Sequence, residues 1–240
     1  MKTECLRAAG IWVDSDRVSS LKEFGIILYS GEITGMLGLV GSGITVVADA
    51  LSGRKKLEKG QIYMDHTPVQ IRGMAQAEKM GIYVISEKTI FLDDLRLEEN
   101  LCLSQRQESM GITFPSEKQI SRIRRCMEEL KIQLKLKEYP KKLGSLECHL
   151  AEILRAYLMG CRILILNHIA NRYTRKELEK LKDVLDLLKE KGIAILLLES
   201  SCERVCKGTD SLYVLRGGRV EGIFERKEYD PGKIKRVGRL

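Results

Sequence analysis

Short apolar runs alternate along this chain with longer stretches in which apolar residues return every three or four positions. The first kind reads as buried strand, the second as amphipathic helix. EITGMLGLV (32–40) predicts a strand running into a glycine-rich turn, and ITVVADALSG (44–53) predicts the helix after it, stopped by Gly53. MGIYVIS (80–86), RILILN (162–167) and GIAILLLES (192–200) predict three more buried strands. Between the last two, TRKELEKLKDVLDLLKEKG (174–192) places Leu178, Leu181, Val184, Leu185, Leu187 and Leu188 on one stripe, and Gly192 ends it. LYVLRGGRVEGIF (212–224) predicts a hairpin turning on Gly-Gly. Strands alternating with helices point to an α/β fold with a mainly parallel core sheet.

The segment 94–160 breaks this rhythm. It is rich in helix formers and charge, as in EKQISRIRRCMEELK (117–131), and predicts a helical subdomain inserted in the α/β core. No Pro/Gly/Ser linker sets it apart, so residues 1–240 read as one domain. With 44% hydrophobic residues, the 240-residue chain can bury a sizeable core. Its formal charge of +8 comes from 41 Lys and Arg against 33 Asp and Glu, and the two signs are interspersed. That pattern suits solvated basic faces. Seven cysteines without a C-x-x-C pair, and isolated His66, His149 and His168, argue against a zinc site. No secretory leader is evident, so the thiols are expected reduced and the protein cytoplasmic. The longest strongly apolar run, 193–198, is too short to cross a bilayer.

The candidate chemistry lies in GLVGSGIT (38–45). Its G-x-x-x-x-G spacing is that of a loop whose backbone N–H groups turn inward and meet a helix N-terminus around a phosphate. Gly38, Gly41 and Gly43 permit the turn, Ser42 and Val46 complete the loop and first helical turn, and Thr45 stands where a hydroxyl could hold magnesium. The lysine that normally grips the phosphates is replaced by Ile44. A charge-assisted hydrogen bond is worth about 1.5–3 kcal/mol, so its loss alone weakens binding roughly ten- to a hundred-fold.

GEITGMLGLVGSG (31–43) resembles the phosphate-loop region of ATP-binding cassette (ABC) proteins. It is most similar to the second cassette of the tandem ATPase subunits that drive bacterial monosaccharide importers. Later segments follow in that family's order: 60–88 resembles its strand–turn–strand stretch and Q-loop, 95–103 the start of its helical subdomain, and 143–170 its signature helix and Walker B strand. The resemblance implies a P-loop NTPase fold with an N-terminal antiparallel β region. It also implies ATP with magnesium as cofactors, and a permease and a second cassette as partners at the inner face of the cell membrane.

The resemblance assigns site positions that this chain fills with other residues. Ile44 takes the Walker A lysine position, and Asn167-His168 takes the place of Asp-Glu at the end of the Walker B strand. A neutral Asn amide is a poorer partner for a hard cation than Asp, and the Glu position polarises the attacking water. His168 as a base has little to act on without a lysine and a well-held metal. Leu143, Gly144, Ser145, Leu146, Glu147 and Cys148 align with the signature Leu-Ser-Gly-Gly-Asn-Gln. There Leu146 fills a position that needs bare backbone, and Glu147 adds a charge that repels phosphate. Glu87 takes the Q-loop position and Ser200 the switch-histidine position, both as in related second cassettes; Thr174 takes the D-loop Asp position. Trp12 is the nearest aromatic to an adenine-stacking position.

These departures share a direction, and the expectation is a pseudo-ATPase: a regulatory or structural subunit tied to a sugar-type importer. The alternative is a subunit that still binds ATP or hydrolyses it slowly. A nucleic-acid role is motivated by SRIRRC (121–126) and KIKRVGRL (233–240). It lacks a helix-turn-helix pattern, a zinc knuckle and an aromatic platform.

Overall fold

The structure, a computed structural model, describes residues 2–14, 20–103, 115–170, 173–206 and 208–238. Residues 104–114 of the predicted insertion and 239–240 of the basic tail lie outside the described residues. The chain opens with β1 (Glu4–Val13), β2 (Leu21–Tyr29) and β3 (Ile33–Gly38), then α1 (Ile44–Leu51). β4 (Lys59–Met64), β5 (Thr67–Val69), α2 (Met74–Lys79) and β6 (Ile82–Ser86) follow. Three helices come next: α3 (Leu97–Leu103), α4 (Glu117–Glu129) and α5 (Ser145–Leu158). The chain then returns to strand–helix alternation with β7 (Ile163–Asn167), α6 (Arg175–Glu190), β8 (Ala194–Glu199) and α7 (Cys202–Cys206). It closes with β9 (Ser211–Arg216), β10 (Arg219–Glu225) and α8 (Pro231–Gly238). The strands and the long helix expected from periodicity stand within two residues of their predicted bounds.

Among the described residues the strands form two sheets. One is antiparallel with order β2-β1-β4-β5, and the other runs β10-β9-β3-β8-β7-β6. In the second sheet β9, β3, β8, β7 and β6 are parallel neighbours, and β10 is antiparallel to β9. Both faces of this sheet are covered, which explains its unbroken apolar strands. Ile33, Leu37, Ile85, Leu164, Leu166, Ile195 and Leu197 face a core shared with α3, α4, α5 and α6. Met36, Ile82, Ile163, Ile165, Leu196 and Leu198 face the opposite core, against α1 and the antiparallel sheet.

Helix α1 lies in that second core. Ile44, Val46, Val47, Ala48, Ala50 and Leu51 are all buried, an apolar surface on almost every side, as expected of a helix enclosed between layers. On the other side of the parallel sheet, α6 is amphipathic: Leu181, Val184, Leu185 and Leu188 are buried. Thr174 caps it, its Oγ1 accepting the Glu177 N–H at 3.3 Å while its own N–H donates to Glu177 Oε2 at 2.8 Å.

Register levels the carboxyl ends of the parallel strands. Leu37 of β3 lies opposite Glu199 of β8, Leu198 opposite Asn167 of β7, and Asn167 opposite Ser86 of β6. The connections leaving β3, β6, β7 and β8 therefore emerge along one edge, where an open α/β sheet places ligands.

The first of these connections is tied through the β9–β10 turn to the other sheet. Gly41 and Gly43 adopt φ values of 84° and 92°. Ser42 O accepts the Gly218 N–H at 2.8 Å, and Gly218 O accepts the Lys22 N–H at 2.9 Å. A Cβ on Gly43 would lie 2.6 Å from Ser20 O, closer than a carbon can approach a backbone oxygen. We expect Gly43→Ala to lower the unfolding free energy by about 2 kcal/mol or more, with no nucleotide present. Urea denaturation checks this through a fall in midpoint at unchanged slope.

Candidate functional site

At the phosphate-type loop, β3 ends on Gly38 and α1 begins at Ile44, with Gly43 as its N-cap. The Ser42 hydroxyl is buried and accepts the Ile44 N–H at 3.3 Å, while Ser42 N–H donates to Leu39 O at 2.9 Å. Gly38 must be bare here, because a Cβ on it would meet Ser42 Oγ at 2.4 Å. Ile44 is 3% exposed and packs in the core around α1. Thr45 is exposed and Val46 is buried. The crest carries Leu39 and a Val40 that is 98% exposed.

Further along the edge, β7 ends on Asn167, whose Oδ1 is buried without a hydrogen-bond partner among the described residues. His168 follows at φ 56°, its N–H donating to Leu198 O at 3.1 Å. Glu199 is fully buried at the end of β8, and the partly buried Ser200 begins the turn to α7. Glu87 is exposed just beyond β6. Strand register thus brings the positions of Gly38, Glu87, Asn167, His168 and Ser200 to one edge. Trp12 sits apart on β1, its ring beneath the Lys59 ammonium at 5.6 Å. No group of three or more His, Cys, Asp or Glu side chains among the described residues is placed to hold a metal ion.

The signature-like residues start α5. Leu143 packs against the core, Gly144 is the N-cap, Ser145 is exposed and Leu146 is buried. The Glu147 carboxylate turns back and accepts the Gly144 N–H at 2.8 Å. A carboxylate therefore already sits at the positive end of this helix, where an incoming phosphate would meet like charge.

One helical turn on, α5 carries a buried polar group that the sequence reading missed. His149 is 1% exposed, with Nε2 3.1 Å from Ser86 O and 3.3 Å from Glu87 O. Two carbonyls beside Nε2 require the proton there, so Nδ1 accepts from the Tyr173 hydroxyl. Burial pushes the His149 pKa down and the Tyr173 pKa up, which keeps both neutral. Glu152 Oε1 accepts the Ile90 N–H at 2.9 Å, and burial pushes its carboxyl up to about 7. The i, i+3 spacing of His149 and Glu152 on one predicted helix was the signal that could have revealed two polar groups on the same buried face.

An α/β layer with a glycine loop feeding a central helix, and with its candidate residues along the carboxyl edge, defines a P-loop nucleotide-binding fold. The ABC transporter family matches residues 21–170, and the chain belongs to that family. Its relatives include the ribose import ATP-binding protein RbsA of Clostridium perfringens (strain 13 / Type A), 27% identical over 97% of this chain and 47% of the relative. The RbsA protein of Jannaschia sp. (strain CCS1) is 28% identical over 95% of this chain and 44% of the relative. The chain spans about half the length of the curated relatives it matches. Among solved structures, the ADP conformation of MJ1267, an ATP-binding cassette of an ABC transporter, superposes with a TM-score of 0.84. The identity is 21% over 98% of each chain. The dimeric structure of MJ0796, a bacterial ABC transporter cassette, gives a TM-score of 0.75 at 16% identity, covering 93% of this chain and 100% of that one.

Asn167 offers a direct test of the edge. Its carbonyl oxygen is buried without a partner among the described residues, so an apolar side chain of similar size relieves a desolvation penalty. Asn167→Leu is expected to raise the unfolding free energy by about 1 kcal/mol, and Asn167→Asp to lower it. Urea melts of the two variants at neutral pH read the opposite signs.

Proposed function

We propose that this chain is a cassette without ATP turnover, serving as a structural or regulatory subunit of a sugar-type ABC importer. The observation that carries the reading is Ile44: the residue at the position of the phosphate-gripping cation is apolar, and its side chain packs into the core around α1. Three further features point the same way. The Ser42 hydroxyl takes up the Ile44 N–H. Asn167 offers a neutral amide where a carboxylate would hold a metal. Glu147 occupies the start of α5 with a negative charge. These residues do not suit the charge of magnesium-bound ATP, and phosphoryl transfer depends on positioned charge.

The sugar-import part of the reading rests on the relatives, which are ribose import ATP-binding proteins. The permease and a second cassette are the partners we propose. Leu39, Val40, Ile90 and Leu92 are exposed apolar side chains on connections leaving the carboxyl edge, which fits a surface that a partner covers. Among the described residues no helix is long and apolar enough to cross a membrane.

A second reading, nucleotide binding without hydrolysis, is favoured by the loop itself. Gly41 and Gly43 keep its turn, and a helix N-terminus attracts anions without a lysine. Calorimetric titration with magnesium-ATP, run beside a phosphate-release assay, tests both. We expect phosphate release at background and no saturable heat. Saturable heat without phosphate release would favour the second reading, and release at rates comparable with intact cassettes would end the proposal. Purification from native membranes is expected to bring a permease subunit along.

A further inference from the structure

The connection from β6 to α3, residues 87–96, contains neither helix nor strand. Buried side chains hold its backbone instead. At its start His149 engages Ser86 O and Glu87 O. Toward its far end Asn100 Oδ1 accepts the Leu92 N–H at 2.8 Å, and Asn100 Nδ2 donates to Leu92 O and Leu95 O at 3.0 Å each. Between these two, Glu152 Oε1 accepts the Ile90 N–H. The strap lays Phe91 against the core and leaves Ile90 and Leu92 exposed.

The middle fastening differs from the other two. His149 and Asn100 are neutral and well supplied with partners. Glu152 is 3% exposed, and its Oε2 is buried with no hydrogen-bond partner among the described residues. As a neutral acid this side chain can hold the Ile90 N–H without burying a charge. As a carboxylate it carries a charge that no water solvates unless the strap lifts.

We propose that Glu152 is a proton-controlled latch on the 87–96 strap: protonated, it holds the strap against α5; ionised, it lets the strap lift and frees the Ile90–Leu92 edge. Burial raises the Glu152 carboxyl from 4.5 to about 7, which sets the changeover near neutrality. The Ile90 N–H bond and, on α5, Arg155 both favour the ionised form and oppose the rise, so burial of the charge is what drives release; burial also pushes the Cys148 thiol up and His149 down. Tyr173, ahead of α6, is pushed up by burial, and the strap itself contributes Glu87 and Asp93, which act on His149 and Cys148. A group whose pKa is higher in the closed state holds most firmly at low pH. The latch is therefore complete below about 4.5 and weakens as pH rises through about 7. This inference rests on the contacts of α5 with the strap and is independent of whether nucleotide binds.

Hydrogen exchange of the amides at 87–92, corrected for intrinsic base catalysis, tests the latch. Between about pH 6 and about pH 8.5 the protection of the Ile90 amide is expected to fall roughly ten-fold in the natural chain. Glu152→Gln keeps an acceptor for Ile90 and never ionises, so its protection should be high and flat. Glu152→Leu removes the acceptor, so its protection should be low and flat. Protection in β7 and α6 serves as the folding control. If Glu152→Leu does not fold, the comparison of the natural chain with Glu152→Gln decides. A flat profile in the natural chain, or an unchanged fall in Glu152→Gln, overturns the proposal.

Discussion

Helix α1 is wedged between two sheets with apolar residues on almost all of its surface, and the rest of the molecule is arranged around that wedge. A helix in this position needs its N-terminal turn to leave a parallel strand and enter the core within a few residues. Gly38, Gly41 and Gly43 meet that need, since a side chain at the first or the last collides with Ser42 or with Ser20. The glycine spacing thus has a structural reason that holds whether or not a phosphate ever enters the loop. Burial of a side chain the size of Ile44 contributes about 1.5–3 kcal/mol. Position 44 therefore serves the core, and a cation there would have to leave it.

Helix α5 is the second organiser. Its first turn satisfies its own N-terminus through Glu147, its middle grips the strap through His149 and Glu152, and its apolar side completes the core with α3, α4 and α6. One helix thus links the three segments that converge at the carboxyl edge: the start of the strap, Tyr173 ahead of α6, and the residues aligned with the signature. Of the side chains that grip the strap, His149 and Asn100 are neutral, and Glu152 is the one with an oxygen buried without a partner among the described residues, which makes it the soft point of that attachment.

Much of this fold was legible in the sequence for physical reasons. Strands buried on both faces announce themselves as unbroken apolar runs, as in RILILN, and the stripe of α6 shows because one side of it meets water. The phosphate-type loop was legible from glycine spacing, and strand order then carried Asn167, His168 and Ser200 to its edge. Other features depended on tertiary placement. The direction in which Ile44 points is set by the antiparallel sheet, whose bulged β1 gives only a broken alternation. His149 looked isolated because its partners lie 62 and 63 residues before it and 24 after it. No local period encodes contacts at such separations. Thr174, read as a departure from an acidic motif, turns out to cap α6 together with Glu177, a role that threonine and aspartate both perform.

The hydrogen bonds around Gly218 have a mechanical consequence. The turn between β9 and β10 grips Ser42 on one side and Lys22 on the other, so one small hairpin is bolted to both layers at the mouth of the glycine loop. A load applied to that hairpin, for instance by a neighbouring subunit leaning on β10, would reach the loop as shear between the layers, without passing through the interior of either sheet. The hairpin is thus a lever arm whose fulcrum is the loop itself.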